Sequence, residues 1–92
     1  MKTILIIDDD APIVKGVQEA LTAEHFNVIA AYTGSKGLTM ARRENIDLIL
    51  LDLRLPDKNG EEICRELRAA GINTQIMMVT SKQEEMEKVL GL

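Results

Sequence analysis

Thr3-Ile4-Leu5-Ile6-Ile7-Asp8-Asp9-Asp10-Ala11-Pro12 is the stretch from which the rest of the chain can be read. Five β-branched and aliphatic residues stand in a row, Thr3 to Ile7, with no polar alternation. A run this short and this continuous reads as a strand covered on both faces, the pattern of a parallel sheet. Asp10 can cap the helix that follows, and Pro12 falls in the first turn, where a missing N–H does no harm. Ile13, Val14, Val17, Ala20 and Leu21 then mark one helical face.

The same unit recurs along the chain. Phe26 to Ala31 is a second short strand, and Thr33-Gly34-Ser35 is a turn with capping potential. Leu38, Met40 and Ala41 predict a helix to about Glu44, weakened by Gly37, because glycine costs about 1 kcal/mol relative to alanine inside a helix. Leu48-Ile49-Leu50-Leu51 is a third buried strand ending at Asp52, and Arg54 to Gly60 is a loop by its Pro, Asn and Gly. Ile63, Cys64, Leu67 and Ala70 mark a third helix, stopped by Gly71 at a left-handed position. Gln75 to Val79 is a fourth strand, closed by Thr80-Ser81, and Lys82 to Leu90 has the pattern of a fourth helix. Strand alternating with helix implies βα units, a parallel sheet and right-handed crossovers.

Bulk properties narrow the function. Ninety-two residues allow one domain. With one Phe, one Tyr and no Trp, the core must be aliphatic. A formal charge of −4 disfavours direct nucleic-acid binding, which draws on basic groups, and disfavours an anionic membrane surface. Cys64 is alone, so no intrachain disulfide is expected, and a reducing cytoplasm fits. No run approaches membrane-spanning length, and Thr3–Ile7 is too short for a signal peptide core. His25 reads as a surface residue, Met40, Met77, Met78 and Met86 as core fillers and helix-face residues, Cys64 as a small buried residue, and Lys82 as a solvated helix-start lysine.

Ligands in open parallel α/β sheets sit at the carboxyl ends of the strands. Asp8, Asp9 and Asp10 follow the first strand, Asp52 ends the third and Thr80 follows the fourth, so acids far apart in sequence are expected in one pocket. Clustered carboxylates repel one another, and protons or a cation would offset that. Mg²⁺ suits the donors: it is hard, takes oxygen ligands and is typically held by one or two carboxylates plus waters and phosphate oxygens. With no His or Cys at the strand ends, zinc is disfavoured. A carboxylate beside such a cation can attack a phosphoryl group, and the Thr80 hydroxyl could bond a phosphoryl oxygen. Asp10 reads as a cap, and Glu61 and Glu62 as partners of a helix dipole.

Taken together, Asp8-Asp9, Asp47-Leu48-Ile49-Leu50-Leu51-Asp52, Leu55-Pro56, Gly60, Val79-Thr80-Ser81 and Val89-Leu90-Gly91-Leu92 resemble the receiver domains of two-component response regulators along all 92 residues. Gly60-Glu61-Glu62-Ile63-Cys64-Arg65-Glu66-Leu67-Arg68 is most similar to regulators that carry a winged-helix DNA-binding output domain. The resemblance implies a flavodoxin-like α/β sheet in strand order 2-1-3-4. It implies that Asp52 accepts a phosphoryl group from a sensor histidine kinase and that Asp9, Asp52 and the backbone carbonyl of Arg54 ligate Mg²⁺. Asp8 would act through metal-bound water, Thr80 would be the switch hydroxyl, and small Ser81 would leave the phosphate room. It further implies a fifth strand ending in a lysine, then a proline and a fifth helix, none of which is read in residues 1–92. The expectation is therefore a single incomplete receiver domain of four βα units that self-associates through its fourth strand or fourth helix.

Two other readings compete. Asp8-x-Asp10 also resembles the nucleophile motif of haloacid-dehalogenase-type phosphatases. Against this, Ala11-Pro12 stands where a Thr or Val is usual, and no cap insertion is visible. The third reading is an interaction domain that works without phosphorylation. A receiver would not be an enzyme beyond assisting its own phosphorylation and dephosphorylation.

Overall fold

A computed structural model describes residues 1–79. The elements follow one another as β1 (Thr3–Ile7), α1 (Ala11–Ala23), β2 (Asn27–Ala31), α2 (Gly34–Arg43), β3 (Leu48–Asp52), α3 (Gly60–Ala69) and β4 (Gln75–Val79). The four strands are parallel and ordered β2-β1-β3-β4, as expected for a flavodoxin-like sheet. The helix proposed over Lys82–Leu90 falls outside the described residues.

Alternate side chains of each strand enter opposite layers. Leu5 and Ile7 of β1 and Ile49 and Leu51 of β3 pack with Leu38 and Ala41 of α2 and Ile63 and Leu67 of α3. Ile4 and Ile6 face the other way, against Val14 of α1, with Val17, Leu21, Phe26 and Val28 around them. Among the described residues, two helices thus cover one face and one helix covers the other. Leu5, Ile7, Ile49 and Leu51 are each 0% exposed, and burying a side chain of this kind contributes about 1.5–3 kcal/mol.

Local signals explain the helix ends. Asp10 accepts a hydrogen bond from the Ile13 amide at 3.2 Å, and Thr33 accepts from Lys36 at 3.2 Å. Asn59 accepts from Glu62 at 2.8 Å. Gly71 has φ 80, the left-handed turn expected after α3, and His25 takes the same conformation after α1 with φ 70. There the His25 and Phe26 amides donate to the carbonyls of Thr22 and Leu21 and close the last turn of α1.

Some expectations need correction. Met77 and Met78 are exposed rather than core fillers. Their strand is the outermost of the described sheet beyond β3: Met77, level with Leu50, lies on the face of α1, which packs over β1 and β2, and Met78, level with Leu51, lies on the opposite face at the same outer edge. Ile13 and Ala20 are exposed because α1 turns the strip through Val14, Val17 and Leu21 inward. Cys64 is half-buried, since Ile63 and Leu67, one turn apart, take the inward line of α3.

Gly37 is not merely a weak helix former. A Cβ built there would stand 2.6 Å from Cδ1, 2.8 Å from Cγ1 and 2.9 Å from Cγ2 of Ile7, so α2 rests on β1 through a side chain stiff at χ1. Gly37→Ala is therefore expected to lower the unfolding free energy by about 1–3 kcal/mol despite its better helix propensity, and combining it with Ile7→Ala should cost less than the sum of the two changes. Urea unfolding of the four-member cycle measures both; a stabilising Gly37→Ala would contradict the contact.

Candidate functional site

At the carboxyl ends of the two central strands, carboxylate oxygens of Asp8, Asp9 and Asp52 all lie within 4.8 Å of one another. Backbone register brings this about. β1 and β3 pair in parallel with Ile7 opposite Leu51, so the next residues of each strand, Asp8 and Asp52, fall side by side. Asp8 is 4% and Asp52 1% exposed, whereas Asp9 stands in solvent. The group therefore has a dry floor of two acids and a wet rim of one.

Each acid is held in its own way. The Asp8 amide donates to the Ala31 carbonyl at 3.0 Å, which carries the β1–β2 ladder one step past the strand. The Asp8 carboxylate accepts from the Asp10 amide at 2.9 Å, and Asp10 in turn caps α1, so Asp10 serves the helix rather than the cluster. The Asp52 Oδ1 accepts from the Arg54 amide at 3.3 Å.

The segment after Asp52 folds back on itself. The Leu55 amide donates to the Lys58 carbonyl at 3.3 Å, Arg54 and Asn59 form an antiparallel bridge, and the Gly60 amide donates to the Leu53 carbonyl at 2.8 Å. A Cβ at Gly60 would stand 2.9 Å from the Asp52 carbonyl oxygen and 3.1 Å from the Leu53 Cα, so α3 can begin this close to Asp52 only with glycine. Lys58 pairs with Glu66 at 3.2 Å, a partly solvated contact worth little.

Like charges at this separation are costly. Two unit charges about 4 Å apart repel by on the order of 4 kcal/mol at an effective dielectric constant of about 20, and the exposure of Asp9 lowers its share. An oxygen-only donor set with two buried carboxylates fits a hard divalent cation and not a thiophilic one.

The structure brings three sequence-predicted residues together, Asp8, Asp9 and Asp52, and sets Arg54 beside them in the loop. Thr80 and Ser81 lie outside the described residues. By sequence, Asp57 is only one residue of the Arg54–Gly60 loop. Its carboxylate accepts from the Gly34 amide at 2.8 Å and the Ser35 amide at 2.9 Å, at the start of α2. No local signal announces this, because the partners are 23 and 22 residues away. The Asn59 cap of α3 is also absent from the sequence reading, although a local signal for it exists: Asn followed three places later by Glu is an N-terminal signature.

Comparison with known proteins agrees with this geometry. The family profile of the response regulator receiver domain matches residues 4–92. The alkaline phosphatase synthesis transcriptional regulatory protein PhoP of Bacillus subtilis (strain 168) is 43% identical over 91 residues, 99% of this chain and 38% of that protein. Response regulator ArlR of Staphylococcus aureus is 41% identical over 92 residues, 100% of this chain and 42% of its own length. The chain thus spans less than half the length of these curated relatives. Among solved structures, response regulator TrrA of Thermotoga maritima, in complex with Mg²⁺-BeF, superposes with a TM-score of 0.84 at 30% identity, over 91% of this chain and 73% of that one. A CheY-like receiver domain protein of Methanospirillum hungatei superposes with a TM-score of 0.84 at 33% identity, over 89% and 66%.

The paired amides fix the sign of one pH effect. Hydrogen bonds from Ser35, then Gly34, hold the Asp57 carboxyl below its usual 3.8. A carboxylate stabilised this way supports the fold fully above that usual value, and the support is lost as pH falls through the lower folded value. Asp57→Asn should therefore weaken the acid dependence of unfolding below pH 3.8, and NMR titration of wild type should place the Asp57 midpoint under 3.8. A midpoint at or above that value would contradict the clamp.

Proposed function

Since this chain belongs to the response regulator receiver domain family and forms a receiver domain of two-component signalling, we propose that it takes a phosphoryl group onto Asp52 from the phosphohistidine of a sensor kinase. The observation that carries this is the buried Asp52 carboxylate within 4.8 Å of Asp8 and Asp9 at one rim of the sheet. Asp9, Asp52 and the Arg54 backbone carbonyl would hold Mg²⁺ directly, and Asp8 would act through a bound water. When bound, Mg²⁺ supplies charge neutralisation to the phosphoryl oxygens. TrrA in complex with Mg²⁺-BeF supports that choice of ion.

The chain's own residues supply position. An oxygen of Asp52 forms a bond to phosphorus as the donor's phosphorus–nitrogen bond breaks, leaving the electron pair on the donor imidazole. The Arg54 amide orients the Asp52 carboxylate, and burial restricts water around the product. Thr80 is the proposed switch hydroxyl, with Ser81 leaving room beside it. A receiver is a signalling module rather than an enzyme, and its help in its own dephosphorylation belongs to this proposal.

The parent protein is proposed to be a cytoplasmic regulator with a DNA-binding output domain, and the name of the Bacillus subtilis relative, a transcriptional regulatory protein, supports the role in transcription. No helix among the described residues is long and apolar enough to cross a membrane. Self-association of the 92-residue chain through the fourth strand is supported by exposed Met77 and Met78 on the outermost described strand. Light scattering should then give a mass that rises with concentration, and a clean monomer at all concentrations would remove this part.

Intact mass after incubation with acetyl phosphate and Mg²⁺ tests the central claim. Wild type should gain one phosphoryl group and Asp52→Asn none. Equal gain by both, or a group trapped on Asp8 as a haloacid-dehalogenase-like phosphatase would require, defeats it.

A further inference from the structure

The segment from Leu53 to Asn59 carries the backbone that closes the proposed metal site, so whatever holds this segment sets the geometry of the site. Several of its hydrogen bonds are internal: Leu55 to Lys58, Arg54 with Asn59, and Gly60 back to Leu53. Internal closure shapes a loop but does not locate it relative to the sheet. Leu55 packs against the core and the Arg54 amide bonds Asp52, and Asp57 adds a polar link to another helix. One carboxylate oxygen accepts from Gly34 at 2.8 Å and the other from Ser35 at 2.9 Å, so two bonds fix both the position and the rotation of the group.

The far end of the link is firm. α2 is seated on the core through Leu38 and Ala41 and by the close approach of Gly37 to Ile7. Gly34 itself touches the loop: a Cβ there would lie 3.1 Å from Asp57 Oδ1, 3.1 Å from Lys58 Cβ and 3.0 Å from Ile63 Cδ1. Nor is Asp57 simply the cap of α2. That helix has its own cap in Thr33, which accepts from the Lys36 amide at 3.2 Å. The amides of the first turn are shared between a local residue and a distant one, and the distant one lies in the loop.

We propose that Asp57 is a positioning residue of the phosphorylation site, which acts by clamping the Leu53–Asn59 loop to the first turn of α2 and so holding the Arg54 backbone and Asp52 ready for a divalent cation. This rests on the reading of Asp9, Asp52 and Arg54 as the Mg²⁺ site. Residues that orient metal ligands without touching the metal typically change affinity by about 10–100-fold when removed.

Mg²⁺ titration by calorimetry on the 92-residue chain tests the clamp, with Asp57→Ala, Asp57→Asn, Thr33→Ala and Asp52→Asn compared. Amide hydrogen exchange of residues 53–59 is measured without metal alongside. Asp57→Ala should raise the Mg²⁺ Kd about tenfold. It should also speed exchange in the loop, and Asp57→Asn, which keeps one acceptor oxygen, should fall between it and wild type. Thr33→Ala should lower the Tm through α2 while leaving Kd and loop exchange near wild type. If Asp57→Ala and Asp57→Asn leave Kd unchanged while Asp52→Asn abolishes binding, the clamp is wrong and the metal site stands. If Thr33→Ala shifts Kd as much as Asp57→Ala, the effect belongs to helix stability and the proposal falls. If wild type binds no Mg²⁺, or Asp52→Asn binds it as wild type does, the metal-site reading fails and the proposal with it.

Discussion

Parallel pairing of β1 with β3 is the constraint on which the rest depends. Ile4 to Ile7 run beside Leu48 to Leu51 in register, and the next residue of each strand is an acid. The attraction that holds this register is apolar. Leu5, Ile7, Ile49 and Leu51 are removed from water together, and α2 and α3 close over them. The carboxylates at the end of the ladder repel, so the hydrophobic layer opposes their separation. A slip of one residue would turn the buried side chains of β3 to the opposite face and take Asp52 away from Asp8.

The surroundings of the acids temper that repulsion. In a parallel sheet with right-handed crossovers, helices begin where strands end, so α1, α2 and α3 all start at the acidic rim. Their first-turn amides carry partial positive charge. Asp10, Thr33 and Asn59 take up some of those amides as caps, and Asp57 takes two more. Two glycines allow the close packing this needs. Gly37 lets α2 approach β1, and Gly60 lets α3 start against the carbonyl of Asp52. The result is a cluster of two buried acids of limited freedom and one solvated acid.

Much of this was legible in residue order. Thr3–Ile7 and Leu48–Leu51 could hardly be other than covered strands, and the alternation with helical stretches made the sheet parallel. Asp10 as a cap, Gly71 as a left-handed stop, and Asp8, Asp9 and Asp52 as neighbours followed from local pattern and from where ligands sit in such sheets. Met77 and Met78 read as core by apolarity alone, but an outer strand does not bury both faces. Asp57 carries no local signal because its hydrogen-bond partners belong to another βα unit.

By itself the sequence determined the succession of elements, the apolar ladder and the kinds of atoms available at the rim. These depend on periodicity, capping and residue chemistry, which act over a few neighbouring residues. Only the tertiary structure decided which acid is dry and which is wet, that Gly37 is a contact rather than a weakness, and that Asp57 ties a loop to a helix. Those outcomes are set by how separate elements meet, and the distances between them exist only once the layers have packed.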